Sequence, residues 1–269
     1  MEVIVALDTH PVYKSLFHTF KYMDLGPVYQ FKNYHEKLHY LFRSSSFHVQ
    51  YLDMSFSKEN IYVLNSPLIS FESWIAAKNR INSIFVEEYF YKSKYKDTLV
   101  KFILKLFQNY PFIAMTKRTH TFLLESKFSS FLIPPALEKK KGRKTRDIIL
   151  FIGRMIDTKN PFFVFEIAKR LKNEDFVMIG KGPLLQQVKS YSNNYSNVTV
   201  FEHIPNERLF TDFYSRAKVL IHPAMKDPIG FTIIEALSTS TPVLTTSYCG
   251  ASDYLPNDWV LDNFDPNIW

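Results

Sequence analysis

Glycine is scarce in this chain and cysteine nearly absent. Its 269 residues include one cysteine, Cys249, and seven glycines, with Gly26 the sole glycine among the first 141 positions. A lone cysteine excludes an intramolecular disulfide framework and any multi-thiolate metal site, and it fits a reducing cytosol. The glycine-poor first half excludes a Gly-rich phosphate loop after the first strand, where the chain reads "LDTHPVY". No apolar run approaches the roughly 18 to 20 residues that cross a bilayer, so any membrane contact is expected to be peripheral. The opening "MEVIVALDTHP" has a short apolar run between Glu2 and Asp8 and no basic region ahead of it, so it reads as a strand rather than a signal peptide. A cytoplasmic protein is the expectation.

What is abundant is positive charge and apolar pattern. Lys and Arg total 33 against 26 Asp and Glu, a net charge of +7, and 46% of residues are hydrophobic. Polyanions, anionic lipids and phosphorylated small molecules are all compatible partners, and charge alone does not choose among them.

Short β-branched or aromatic runs alternate with longer helical patterns throughout, which predicts an α/β protein with parallel sheets. In the first half the predicted strands are "EVIVAL", "FHVQYL", "IYVLN", "SIFVEE", "FIAMT" and "SFLIP". The helices are "YKSLFHTFKYM", "SFESWIAAKNR", "KDTLVKFILKLFQ" and "RTHTFLLES". At "LEKKKGRKTRD" the apolar pattern stops. The expected organisation is a first lobe over 1–138, a basic linker over 139–146 and a second lobe over 147–269. A solvated linker is the commoner explanation of such a basic run, with a nucleic-acid or lipid patch as the alternative. In the second lobe the predicted strands are "DIILFIG", "DFVMIG", "VTVFEHI", "KVLIHP" and "PVLTT". Between them lie helices at "PFFVFEIAKRLK", "PLLQQVKSYSN", "ERLFTDFYSRA" and "FTIIEALST".

In an open α/β sheet, ligands sit beyond the carboxyl ends of the strands, where helix N-termini point their N–H groups outward. The unusual residues of the second lobe fall there. Arg154 and Lys159 follow its first strand, "GKGP" with Gly180, Gly182 and Pro183 follows the second, and "HPAMKDPIGF" follows the fourth. The last of these leads into a helix whose first N–H groups are expected from Gly230, Phe231 and Thr232. A pyrophosphate is the simplest ligand for such a pocket. Asp227, on the loop, and Glu235, inside the helix, can both border it. Spacing alone leaves a plainer reading open, with Asp227 a capping acid and Glu235 a solvated surface residue.

The order of these motifs resembles glycosyltransferase family 4, the retaining group with the GT-B fold. "GR" with a Lys five residues on, "GKGP", "P-x3-D-x2-G-x4-EA", "TPVLTT" and "GASDYL" occur in that family's order over residues 147–255. The E-x7-E motif is present as Asp227 to Glu235, with the first Glu replaced by Asp. The resemblance implies two Rossmann-like domains facing each other across a cleft, with a reduced N-terminal, acceptor-side domain. It implies that Arg154 and Lys159 neutralise the donor diphosphate. Glu235 would hold the ribose hydroxyls and Asp227 the transferred sugar, while Gly230 and Phe231 offer N–H groups. Gly180 and Gly182 would line the nucleotide pocket beside "HIPNERL". The donor is then a nucleotide-diphosphate sugar, the acceptor a hydroxyl, and no cofactor or divalent metal is called for.

The first lobe departs from that pattern. Where family members carry a His after a central strand, the chain has Glu87 and Glu88, two carboxylates that could face a developing oxocarbenium. Asp8, Thr9 and His10 are cleft candidates, and Lys117, Arg118 or His120 could touch an anionic acceptor. "YKSKYKDTLVKFILKLFQ" pairs lysines with an apolar stripe, so peripheral contact with an anionic membrane stands beside an ordinary core-facing helix. The chain stops at "NFDPNIW", soon after the last matching motif, which leaves room for a partner chain and an oligomer. Two other functions stay open: a transferase acting on nucleic acid, which is disfavoured, and a catalytically inactive nucleotide-sugar-binding module.

Overall fold

The computed structural model describes the strand backbones at 3–6 and 21–22 and residues 58–59, 61–68, 71–87, 94–142 and 145–269. The chain divides into two compact units, Met1–Pro134 and Pro135–Trp269.

The first unit carries a parallel sheet of six described strands: β1 (Val3–Ala6), β2 (Lys21–Tyr22), β3 (Ile61–Asn65), β4 (Ser83–Glu87), β5 (Phe112–Ala114) and β6 (Ser130–Leu132). They are ordered β2-β1-β3-β4-β5-β6. Helices α1 (Phe71–Lys78), α2 (Lys94–Lys105) and α3 (Lys117–Glu125) alternate with the later strands. The expected helix over 13–23 is corrected at its end, because Lys21 and Tyr22 pair with Ile4 and Val5 as a short strand. The expected strand "FHVQYL" and Asp8, Thr9, His10 and Glu88 lie outside the described residues. Thr116 caps α3, its hydroxyl oxygen accepting the Thr119 N–H at 3.2 Å. The core is aromatic: Phe85, Phe107 and Phe112 are buried together, and Trp74 meets Phe107 edge-on at 4.9 Å.

The second unit holds strands β7 (Ile148–Ile152), β8 (Asp175–Ile179), β9 (Val198–Phe201), β10 (Ala217–His222) and β11 (Val243–Thr245), all parallel, in the order β11-β10-β7-β8-β9. Every residue of β7 is buried, which explains its uninterrupted "IILFI": a central parallel strand is covered on both faces and has no side left for polar residues. Helices α4 (Phe162–Ala168), α5 (Leu185–Ser192) and α6 (Phe231–Ser238) supply the cover. Helix α4 starts directly after Pro161, whose fixed φ suits a first turn. It buries Phe163, Val164, Phe165 and Ile167 against Phe151, Met178 and Val188.

The predicted helix over 207–217 is the main departure in this unit. A short turn at Asn206–Arg208 gives way to a π-turn over Leu209–Phe213 and then a 3-10 turn over Tyr214–Arg216. The Ser215 hydroxyl donates to the Thr211 carbonyl at 2.6 Å, a local bond that competes with regular helical pairing.

Within the basic run, Lys139, Lys140 and Lys141 are exposed, but Lys140 and Arg146 are bonded to the second unit. Residues 139–146 fall inside the second unit, and Lys140 N–H donates to the Ser238 carbonyl at 2.7 Å. The Arg146 guanidinium donates to the Ala217 carbonyl and Thr241 hydroxyl, both at 2.7 Å, and to the Thr239 and Ser240 carbonyls. Two of these acceptors lie in the turn just past α6, one at the start of β10 and one on Thr241, and a guanidinium fork satisfies them together. Arg146→Met is expected to lower the urea unfolding stability of the second unit by about 2 to 3 kcal/mol, because charge-assisted bonds are lost and buried acceptors stranded. A change below about 0.5 kcal/mol would return the run to the role of a solvated segment.

Candidate functional site

In a doubly wound sheet the binding crevice opens where successive connections run to opposite sides. In the second unit β7 lies between β8, its successor, and β10, so that point is the β7/β10 boundary. The loops beyond these strands are tied together there. Met225 and Lys226 donate backbone N–H groups to the Thr158 carbonyl, joining the β10 loop to the β7 loop. Met155 N–H reaches the Lys181 carbonyl at 2.7 Å, joining the β7 loop to the β8 loop. From the β11 side, Asp227 N–H bonds the Tyr248 carbonyl and Gly250 N–H bonds the Asp227 carbonyl.

Asp227 is the hub of this junction. One carboxylate oxygen, Oδ2, forms an ion pair with Lys159 and lies 2.9 Å from His222 Nε2, while Oδ1 accepts the Gly230 N–H at 3.2 Å. An ionised carboxylate cannot donate, so the proton of the His222 contact sits on Nε2. Nδ1 is then left towards the Thr232 hydroxyl, 3.5 Å away. Burial pushes the Asp227 carboxyl up, but the His222 hydrogen bond and charge together with Lys159 outweigh it and hold it well below its ordinary 3.8. The helix α6 start adds in the same direction, since the N-terminal end of a helix favours negative charge.

Three expectations change at this point. Gly230 gives its N–H to Asp227 rather than outward, so the outward N–H groups expected from the helix start do not include it. Lys159 faces Asp227, with only 11% of its side chain exposed, whereas Arg154 is exposed on the same loop. Gly180 makes its close approach to the protein itself: a Cβ there would collide with the Gly153 carbonyl, and one on Gly182 would meet that of Met155. Pro183 is exposed beside them, and Phe231 and Thr232 are half-buried at the head of α6. Gly230 is needed for another reason: its φ of 84° is left-handed, and a Cβ there would collide with Cys249 Sγ.

Glu235 lies one turn into α6 and half-buried. Its Oε2 accepts from the Tyr214 hydroxyl at 2.5 Å. Burial raises its pKa, and the Tyr214 bond and the Lys140 charge only partly oppose that rise. The two acids of the motif are thus driven in opposite directions by their surroundings. In the first unit Glu87 is 1% exposed at the end of β4 and accepts from the Ser66 hydroxyl at 2.5 Å. His120 Nδ1 lies 3.0 Å from the Ser130 hydroxyl, with Lys117 and Arg118 on the same helix α3.

The residues that sequence reasoning missed are His222, Tyr214 and Lys140. His222 had a signal, as the last residue of a strand five positions before Asp227. Tyr214 and Lys140 had none, because only the folded chain brings them to Glu235. His222, Asp227 and Cys249 also place one ligand atom each within 4.8 Å of one another. The set suits an ammonium better than a metal ion. Lys159 already occupies Asp227 Oδ2, and burial first, with the Asp227 charge, pushes the Cys249 thiol far above the range in which it ionises.

Residues 135–259 match the family model for glycosyl transferases group 1. Among curated proteins, the chain is 23% identical over 135 residues to the phosphatidylinositol N-acetylglucosaminyltransferase GPI3 subunit of Saccharomyces cerevisiae. That match covers 48% of this chain and 30% of the yeast protein, so the chain spans about a third of its relative's length. Among solved structures, sucrose-phosphate synthase from Thermosynechococcus elongatus aligns with all of this chain and 88% of its own, at a TM-score of 0.68 and 14% identity. TarM of S. aureus, solved with UDP, aligns with 79% of this chain and 47% of its own, at 0.63 and 17%.

The sign of the Asp227 shift gives a test. A carboxyl held low in the folded state adds stability that is fully present above its unfolded value and is lost as pH falls through the folded one. Asp227→Asn is expected to lower the unfolding midpoint at pH 7 and to flatten the loss of stability below about pH 4. Parallel acid unfolding curves for the two proteins would show that the Lys159–Asp227–His222 cluster carries none of it.

The chain is therefore a protein of the GT-B fold class, built from parallel Rossmann-like units, whose residues 135–259 carry the glycosyl transferases group 1 sequence signature.

Proposed function

We propose that the protein transfers a hexose from a nucleotide-diphosphate sugar to a hydroxyl acceptor with retention of configuration. The observation that carries this reading is the meeting of Lys159, Asp227 and the start of helix α6 at the switch point of one sheet, with Arg154 exposed on the Lys159 loop and Glu235 one turn into the helix. A diphosphate needs cations and helix N–H groups at one spot, and a ribose diol needs an acceptor nearby. Both needs are met on adjoining loops. The group 1 match over the same residues points the same way, as do the relatives whose names record sugar transfer and bound UDP.

In this reading the exposed Arg154 takes the diphosphate first. Lys159 shares its charge between Asp227 and the incoming phosphate, so the leaving nucleotide meets a positive region without a metal or other cofactor. Asp227, pinned through both oxygens, offers the sugar a fixed acceptor one methylene shorter than Glu. Departure is from the front face, with the leaving phosphate assisting deprotonation of the acceptor hydroxyl. The acceptor in this proposal is a glycan, lipid-linked or protein-linked hydroxyl, and an anionic membrane surface and an oligomeric partner belong to the same proposal.

Thermal shift against UDP-, GDP- and ADP-sugars tests the donor class, since a ligand that binds only the folded state raises its melting point. One donor is expected to raise it and to be slowly hydrolysed. Arg154→Ala should weaken that donor's binding at least tenfold, and Glu235→Ala should reduce turnover about a hundredfold. A panel without a shift or turnover would overturn the reading. Binding without turnover would favour an inactive nucleotide-sugar module instead.

A further inference from the structure

Tyr214 is fully buried, yet its hydroxyl points at the carboxylate of Glu235, with a separation of 2.5 Å. A phenol hydroxyl removed from water needs an acceptor, and a phenylalanine would fill the same space without one. The ring has little freedom. It tilts against Phe210 at 5.4 Å, and the Tyr214 carbonyl accepts the Thr241 hydroxyl at 2.6 Å. Thr241 is itself gripped by Arg146 at 2.7 Å.

The backbone here is also unusual. Tyr214 follows directly on the π-turn over Leu209–Phe213, a form of helix found often at functional sites. Its donor therefore sits on a fixed frame, whereas a glutamate side chain has several rotamers to lose. Lys140 completes the surroundings of Glu235: its ammonium lies 3.7 Å from the centre of the Phe210 ring, and its charge acts on the carboxylate. A carboxylate oxygen carries more than one lone pair, so the bond at Oε2 does not by itself exhaust the acceptor capacity of the group.

We propose that Tyr214 is a positioning residue, whose hydroxyl holds the Glu235 carboxylate in the orientation that accepts the donor's ribose hydroxyls. This rests on the reading of Glu235 as the acid that binds the nucleoside sugar. It goes beyond that reading by assigning the orientation to a residue from a different segment, twenty-one positions away in sequence.

The test is calorimetric titration of the full chain with UDP, GDP and ADP, each beside its 2′,3′-dideoxy counterpart. The wild type should prefer a ribonucleotide over its dideoxy form. Tyr214→Phe should weaken the ribonucleotide about tenfold and leave the dideoxy compound unchanged, because only the hydroxyl contacts depend on the carboxylate's orientation. In turnover the same variant should raise the donor KM with little change in kcat. Placing p-aminophenylalanine at position 214, which keeps a donor at that spot, should restore the preference.

A purely structural tyrosine predicts a different pattern. Equal weakening of both nucleotides, or of neither, while Glu235→Gln abolishes the preference, overturns the role of Tyr214 and leaves the reading of Glu235 standing. A wild type that binds none of the nucleotides, or a preference that survives in Glu235→Gln, overturns both. Should Tyr214→Phe fail to fold, 3-fluorotyrosine at 214 keeps the shape and alters donor strength. An unchanged ribo-to-dideoxy ratio there overturns the proposal.

Discussion

One largely buried carboxylate, beside a few backbone bonds, ties the loops that follow β7, β10 and β11 in the second sheet. Loops beyond parallel strands have no ladder to pair with, so something else must fix them against one another. Asp227 does this by spending one oxygen on Lys159 and His222 and the other on Gly230 N–H, while its backbone bonds Tyr248 and Gly250. A charge this far from water, with 13% of its side chain exposed, is tolerable only when its acceptors are filled. That condition sets the start of helix α6, the reach of Lys159 and the orientation of the His222 ring together.

The contrast with Glu235 separates two acids that look equivalent in the motif. Asp227 is saturated by cations and a helix start, and its pKa falls. Glu235 is met by a neutral phenol and a more distant lysine, and burial leaves its pKa raised. Environments that push paired acids apart are what allow them to do different work. Here Asp227 is fixed in place by its partners, and Glu235 is held by a neutral donor, so the two acids enter the proposed site on different terms.

The segment before β7 has a structural role that composition hides. Six cationic side chains between Lys139 and Arg146 read as a solvated stretch. Arg146 instead bonds the turn that follows α6, and Lys140 stands over Phe210 beside Glu235. These connections reach seventy residues or more along the sequence, to partners with no local signal. The departure over 206–216 is of the same kind: its spacing suits a helix, but the folded segment is a π-turn and a 3-10 turn that bury Phe210, Phe213 and Tyr214, with Phe213 against Phe201 of β9.

The sequence by itself determined the alternation of elements, because strands covered on both faces must be continuously apolar and the helices between them must carry one apolar side. It also determined the order of motifs that resembles a glycosyltransferase, since Arg154, "GKGP" and Asp227 to Glu235 fall at strand ends by position alone. The tertiary structure decided which partner each of those residues takes. Lys159 turned to Asp227, Gly230 gave its N–H inward, Gly180 made room for the Gly153 carbonyl, and Tyr214 came to Glu235. Those choices depend on distances between loops brought together by the sheet, and spacing along a chain does not contain them.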